Sequence, residues 1–313
     1  MPPSCRMHAG TARPSFRGVV VATVASLVAA APARAQAAPR PEPLDTAVVS
    51  TAWLAARLSD PRVVVVEVTE HDSARAVTIP GSRAIAYRRL VVSRDSVSTE
   101  LPPIDSIRSL AEGLGISSDS RVVVYAAHAP MATRLLLTLD ALGLARLSYL
   151  DGGLPAWQAE GRQVSPGEPA VTRGTIQIPP RPEVVVTAAW VEARLGRPGL
   201  SLIDTRTDGE YRGADNQSGM PSAGHLQGAR QLEWQSLFDA ETGLRLKPAA
   251  ELRRMFEERV GSGDTVVTYC WVGYRSSATY FVARALGLDA RLYDGSYQDW
   301  RRRQLPVTAG AAP

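Results

Sequence analysis

Continuous apolar runs alternate with segments of helical period along most of this chain. Val63-Val64-Val65-Val66-Glu67-Val68 and Arg121-Val122-Val123-Val124-Tyr125 show no polar alternation, so each fits a strand buried on both faces of a parallel sheet. Leu147 to Leu150 is a shorter strand. Thr51 to Leu58 places Trp53, Leu54 and Leu58 on one side of a helix. Ile104 to Leu114 is a second helix, closed by Gly115, and Met131 to Leu142 a third, ending at Gly143. Ile79-Pro80-Gly81-Ser82 marks a turn, and Asp151-Gly152-Gly153 turns into a short helix carrying Trp157.

Pro166, Pro169, Pro179 and Pro180 then interrupt Ser165 to Pro182, which predicts an extended linker running over the surface. Beyond it the pattern returns. Thr187 to Leu195 is helical with Trp190, echoing Trp53, and Leu200-Ser201-Leu202-Ile203-Asp204 echoes the first valine run. Ala249 to Val260 is helical, with Leu252, Met255, Phe256 and Val260 on one face. Tyr269 follows Tyr125 by 144 residues, and Ala285-Leu286-Gly287 follows Ala141-Leu142-Gly143 by the same interval. Asp294-Gly295 follows Asp151-Gly152 by 143, as Trp300 follows Trp157. An offset held over so many pairs means two copies of one domain. The expected organisation is a copy at 36–165, a linker at 166–182 and a second copy at 183–313. Each copy alternates strands with helices, so each should be α/β, a mostly parallel sheet flanked by helices.

Charge changes the picture only at the N-terminus. The formal charge of +4 comes from residues 1–35, where Arg6, Arg13, Arg17 and Arg34 stand without an acid; the remainder is neutral. Nothing in the composition argues for nucleic acid binding. Residues 1–35 have the form of a secretory signal: arginines, an apolar stretch from Gly18 to Ala31, and Ala33-Arg34-Ala35 as a small-x-small cleavage site. The stretch falls short of the roughly 20 residues that span a bilayer. We therefore expect an exported, periplasmic protein with no stable membrane association after cleavage. Cys5 would leave with the signal, and Cys270 would be the single thiol of the mature chain. A lone cysteine is often a small core residue; here its neighbours favour a reactive one.

Those neighbours are Tyr269-Cys270-Trp271-Val272-Gly273-Tyr274-Arg275-Ser276-Ser277. Thr265 to Thr268 forms a β-branched run before them, and a helical pattern from Ala278 to Leu286 follows. Cys270 should therefore end a strand, where sites of parallel sheets lie. Gly273 permits a sharp turn, and Ser276 or Ser277 should cap the helix. Successive backbone N–H groups in such a turn form an anion-binding nest, reinforced by the helix N-terminus. Arg275 adds positive charge where it opposes the helix dipole, which an anionic ligand would explain. The first copy has Ala126 at the cysteine position, followed by Ala127-His128-Ala129-Pro130, without the glycine or the arginine. It keeps the architecture and lacks the nucleophile.

Cys-x-x-Gly-x-Arg-Ser between strand and helix resembles the active-site loop of rhodaneses, the thiosulfate sulfurtransferases. Gly224-His225-Leu226-Gln227-Gly228-Ala229 and Tyr293-Asp294-Gly295-Ser296-Tyr297-Gln298-Asp299-Trp300 resemble further family stretches. A silent first copy beside an active second resembles the tandem-domain members, over roughly Val48 to Val307. The resemblance implies that Cys270 takes the outer sulfur of thiosulfate as a persulfide and hands it to a nucleophile such as cyanide or a thiol, with a protein thiol as a possible acceptor. It implies neither metal nor organic cofactor, and His8, His71 and His128 are scattered. The donor would be held by the stretch Trp271, Val272, Gly273, Tyr274 and Ser276, and by Arg275. Trp271 and Tyr274 should project into a cleft between the copies with Cys270 at its floor, or pack on the first copy. Arg206 and Arg212 are candidate donor ligands beyond the strand end. In tandem rhodaneses an arginine often precedes the aromatic of this segment, whereas Glu210 precedes Tyr211 here. Asp204 and His225 read as structural supports.

Three other readings compete. Phosphatases and arsenate reductases place five residues between cysteine and arginine; this loop has four, a ring better suited to sulfur than to phosphate. Enzymes using 3-mercaptopyruvate usually show a small uncharged loop, unlike one with Tyr274 and Arg275. A persulfide carrier without turnover would share the cysteine.

Overall fold

The computed structural model describes residues 43–312, apart from 73–76, 96, 168, 218–219 and 222. The signal segment at 1–35 lies outside the described residues. In the first copy, β1 (Val48–Val49), β2 (Val63–Thr69), β3 (Arg83–Ala86), β6 (Arg121–Ala126) and β7 (Leu147–Leu150) form one sheet in the order β1-β7-β6-β2-β3. Every pairing in it is parallel. In the second copy, β8 (Val185–Val186), β9 (Leu200–Asp204), β10 (Arg230–Gln231), β11 (Thr265–Tyr269) and β12 (Ala290–Tyr293) repeat that order as β8-β12-β11-β9-β10, again parallel.

The unbroken valine runs follow from the layering. Val64, Val66 and Val68 join a core cluster that also takes Ile203, Val266 and Phe281 of the second copy. Val65 faces the other way with Val123 and Trp157. In the second copy Leu202, Val267, Tyr269 and Trp300 form the matching outer cluster. Each sheet thus has one face on a shared interior and the other under its own short helices: α1 (Thr51–Ala55) and α4 (Gly153–Ala159), or α5 (Ala188–Glu192) and α9 (Ser296–Arg302). A strand buried on both faces has no solvent side for polar residues.

Two helices fill the shared interior. Every residue of α3 (Ala129–Ala141) and of α8 (Ser276–Ala285) is buried. Positions related by the 144-residue offset meet directly. Thr133 and Ser277 share a hydrogen bond of 2.9 Å, and Arg284 donates to Asp140 at 3.2 Å. Contact between equivalent positions is the mark of a two-fold-like interface, here between two copies in one chain. Asp140 also accepts from Tyr280 at 2.6 Å, so this carboxylate of the interior is well paired.

The correspondence of the halves extends to local contacts. Ser50 and Thr187 cap α1 and α5 by accepting from Trp53 and Trp190. Trp157 donates to the carbonyl of Gln163 at 2.7 Å, and Trp300 to that of Pro306 at 2.8 Å. Residues 169–181 carry neither helix nor sheet strand and are tied to the first copy: Ile176 is buried, and Arg108 of α2 (Ile104–Gly113) donates to its carbonyl at 2.6 Å. The hairpin of β4 (Val92–Arg94) and β5 (Val97–Glu100) was not anticipated. Its strands are short and polar, so no apolar period announces them.

Candidate active site

β11 pairs with β9 so that Tyr269 lies beside Asp204, and Cys270 is the first residue past the strand. Tyr269 locks this end. Its hydroxyl donates to Asp204 Oδ2 at 2.7 Å and accepts from the N–H of Leu226 at 3.1 Å. Tyr125 does the same in the first copy with Glu67 at 3.2 Å and Ile79 at 3.3 Å. The frame around the loop therefore belongs to the repeat, and the cysteine to the second copy.

The loop after Cys270 separates its backbone acceptors from its donors. The carbonyl of Cys270 accepts from Tyr297 N–H at 3.1 Å, and that of Trp271 from Gln298 N–H at 3.0 Å. The Val272 carbonyl accepts from the Thr99 hydroxyl, and the Gly273 carbonyl from Arg134 at 3.3 Å. The Tyr274 carbonyl accepts from Ser277 Oγ at 2.7 Å. None of the N–H groups from Trp271 to Ser276 is hydrogen-bonded among the described residues. The carbonyls turn out to the protein and the donors are left for something else. Six successive donors without a protein partner, directly after a cysteine, make this loop a candidate anion cradle. Gly273 makes the turn with φ at +77°, where a β-carbon would lie 2.6 Å from Asp294 Oδ1. The Ser276 hydroxyl is also buried without a partner.

Cys270 itself is fully buried. Its own N–H donates to Ser296 Oγ at 3.2 Å, which holds the strand end. Part of the cover comes from the first copy. Tyr87 packs edge-on against Tyr274 at 5.2 Å, and the Tyr87 hydroxyl is buried without a partner. Burial pushes Tyr274 up to about 12, with the charges at Glu70 and Cys270 adding to it, so this phenol stays protonated at neutral pH.

The other expected residues fall into place as follows. Arg275 forks onto Glu210, with bonds of 2.7 and 2.8 Å. Burial works to raise Glu210, but the fork outweighs it and holds the carboxyl below its usual range. Trp271 does not project outward. It is buried and packs on Tyr297 at 5.3 Å, because the outer cluster of the second copy offers its ring more apolar surface than solvent does. Tyr274 packs on the first copy. Neither serine caps α8: Arg275 holds the N-cap position with helical backbone, and Ser277 bonds across to Thr133 and Pro130. Both serines therefore lie inside the first turn, past the position from which a side chain caps. Arg206 stands behind the loop, fully buried, bonded to Asp204 at 2.6 to 3.1 Å and lying over the ring of Tyr297 at 3.9 Å. It holds the strand end, and its Nη1 is buried without a partner. Arg212 lies at the end of α6 (Asp208–Arg212), half exposed, paired with Asp208 at 2.7 Å. Asp204 and His225 are supports. His225 stacks on Tyr211 at 3.8 Å and bonds two carbonyls, of Tyr211 at 3.0 Å and Ala312 at 2.9 Å.

Sequence reasoning missed Arg134. This residue of α3 is fully buried and bonds Asp294 at 2.6 Å, the Thr99 carbonyl at 2.6 Å and the Gly273 carbonyl at 3.3 Å. Asp294 in turn accepts from the Leu101 N–H at 2.5 Å. One signal was available: Arg134 stands alone in the apolar run Met131 to Leu139, and a cation there needs a buried acid. Where that acid lies, 160 residues on, the run cannot say.

A buried cysteine at a strand end, followed by unspent N–H groups and set beside a copy without the cysteine, defines a tandem α/β protein with a candidate site in its second copy. The sequence pattern of the Rhodanese-like domain matches residues 50–160 and 187–303. The thiosulfate sulfurtransferase of Azotobacter vinelandii is 32% identical over 255 residues, 81% of this chain and 93% of that protein. The sulfur carrier protein TtuD of Thermus thermophilus is 30% identical, over 80% of this chain and 92% of that one. The solved structure of the 3-mercaptopyruvate sulfotransferase SseA from Escherichia coli matches with a TM-score of 0.68 at 22% identity, covering 80% of this chain and 99% of that one. The chain belongs to the rhodanese family, as a tandem sulfurtransferase with two rhodanese-like domains.

Proposed function

We propose that this protein moves the sulfane sulfur of thiosulfate to a nucleophilic acceptor through a persulfide on Cys270. The thiolate attacks the outer sulfur; a sulfur–sulfur bond forms to Cys270, the bond to the sulfonate sulfur breaks, and sulfite leaves with that electron pair. An acceptor thiolate or cyanide then takes the outer sulfur and Cys270 returns to the thiolate. The observation that carries this reading is the split loop, carbonyls spent on the protein and N–H groups of residues 271–276 unspent around the cysteine. Those donors would stabilise the terminal sulfur of the persulfide and the leaving sulfite, where negative charge collects. Donor binding is assigned to this backbone and to the Ser276 hydroxyl, with Arg275, held by Glu210, setting the charge beside them. Arg206 and Arg212 are left out, the first as a buried strut and the second as a solvent-side pair with Asp208.

Because Cys270 has no exposed surface, a donor reaches it only when a covering side chain yields. A protein thiol is a second class of acceptor, in keeping with a relative named a sulfur carrier protein. The signal-like residues 1–35 support export to the periplasm.

Intact mass before and after thiosulfate, then cyanide, tests the proposal. A gain of one sulfur, about 32 Da, localised to Cys270 and lost to cyanide is expected. Cys270→Ser should keep the fold and lose the gain entirely. A gain with 3-mercaptopyruvate alone would move the donor assignment, and transfer surviving in Cys270→Ser would overturn the mechanism.

A further inference from the structure

Guanidinium groups surround the loop, and each carries its own acid. Arg275 pairs with Glu210, Arg134 with Asp294 and Arg206 with Asp204; the side chains are 17% and 0%, 0% and 7%, and 0% and 0% exposed respectively. The second and third pairs hold the frame of the loop. The first is different, because Arg275 belongs to the loop itself and is the one of these cations with an exposed edge. Both of its terminal nitrogens are spent on a carboxylate with no solvent to weaken the contact. To an incoming anion this pair presents a dipole, where an unpaired arginine would present a full positive charge.

Glu210 has a second task that allows the two to be separated. It is the third residue of α6, and its carboxylate accepts from the N–H of Thr207 at 3.1 Å while the Thr207 hydroxyl accepts from the Glu210 N–H at 3.3 Å. That is a capping box, which glutamine serves as well as glutamate. The cap needs an acceptor oxygen and has no need of the negative charge.

We propose that Glu210 is a specificity-determining residue: by matching the charge of Arg275 it shifts the loop from dianionic sulfane donors toward singly charged ones of the thiosulfonate class. The inference rests on the persulfide reading above and concerns only which donor that site favours. A thiosulfonate offers the same outer sulfur as thiosulfate, bonded to a sulfonyl sulfur that carries a carbon substituent in place of one charged oxygen. The Cys270 thiolate attacks the outer sulfur, the bond to the sulfonyl sulfur breaks, and a sulfinate leaves in place of sulfite. The total charge is the same before and after, and no oxidant or reductant is consumed.

The test compares kcat/KM for thiosulfate with kcat/KM for methanethiosulfonate, in the full chain and in Glu210→Gln, with intact mass reporting the sulfur on Cys270. Removing one negative charge from the fork should raise the thiosulfate-to-thiosulfonate ratio by about tenfold. If the amide variant does not fold, the unaltered protein carries the test: kcat/KM for thiosulfate should fall with ionic strength no more steeply than kcat/KM for the thiosulfonate, and a steeper fall would overturn the inference. A persulfide that forms with both donors but a ratio that does not move would overturn this inference alone. Equal losses with both donors would do the same and leave Glu210 as a helix cap. If neither donor loads Cys270 in the unaltered protein, both this inference and the persulfide reading fall.

Discussion

Replacing Arg134 by methionine removes the cation that joins the first copy to the catalytic loop. The side chain is fully buried and makes bonds to Asp294, to the Thr99 carbonyl and to the Gly273 carbonyl. Methionine fills much of the volume and can pair with none of them. Asp294 keeps the Leu101 N–H but loses its counter-charge while 7% exposed. Deleting one partner of a buried pair costs about 3–5 kcal/mol, most of it the penalty on the charge left behind. We expect equilibrium urea unfolding, followed by tryptophan fluorescence, to show a loss of that size. The transition should remain single, because the shared apolar cluster draws on both sheets and neither copy keeps its core alone. Adding Asp294→Asn should restore part of the loss, since the unpaired charge disappears with it. A loss below about 1 kcal/mol for Arg134→Met would refute the reasoning, because it would mean that Asp294 finds water as readily as it found the guanidinium.

Other outcomes follow from single contacts. Gly273→Ala sets a β-carbon 2.7 Å from the Asp294 carbonyl at a φ of +77°, so it should cost more than about 1 kcal/mol and abolish persulfide formation by reshaping the cradle; a variant that loads thiosulfate normally would show that the loop has room to spare. Glu210 has a folded value below its ordinary 4.5, so its contribution to stability is present above that pH and is lost as pH falls through the folded value. The acid limb of the stability–pH curve should therefore be shallower in Glu210→Gln, and identical limbs would contradict the fork.

The repeat, the parallel sheets and the strand–loop–helix around Cys270 were legible because their signals are local or periodic. Valine runs mark two-sided burial, a glycine marks a turn, and a fixed offset between Tyr125 and Tyr269 marks duplication. Rotamer and partner choices were not legible. Trp271 was free to face solvent or core until the outer cluster supplied an apolar bed. Ser276 and Ser277 satisfy the composition rule for a cap, yet the second bonds across to Thr133 and neither caps, because the helical backbone already begins at Arg275 and leaves both serines inside the first turn.

Taken alone, the sequence determined that the chain holds two α/β copies, that one of them carries a cysteine at a strand end, and that a backbone ring would follow it. Those features depend on residues close along the chain, where steric rules and periodicity act directly. Only the tertiary structure decided the charges of the site. Glu210 meets Arg275 across 65 residues and Arg134 meets Asp294 across 160, and such pairings follow from how two sheets and two buried helices stack. A charge seeks the nearest acceptor in space, and in this protein the nearest acceptors were brought there by the fold.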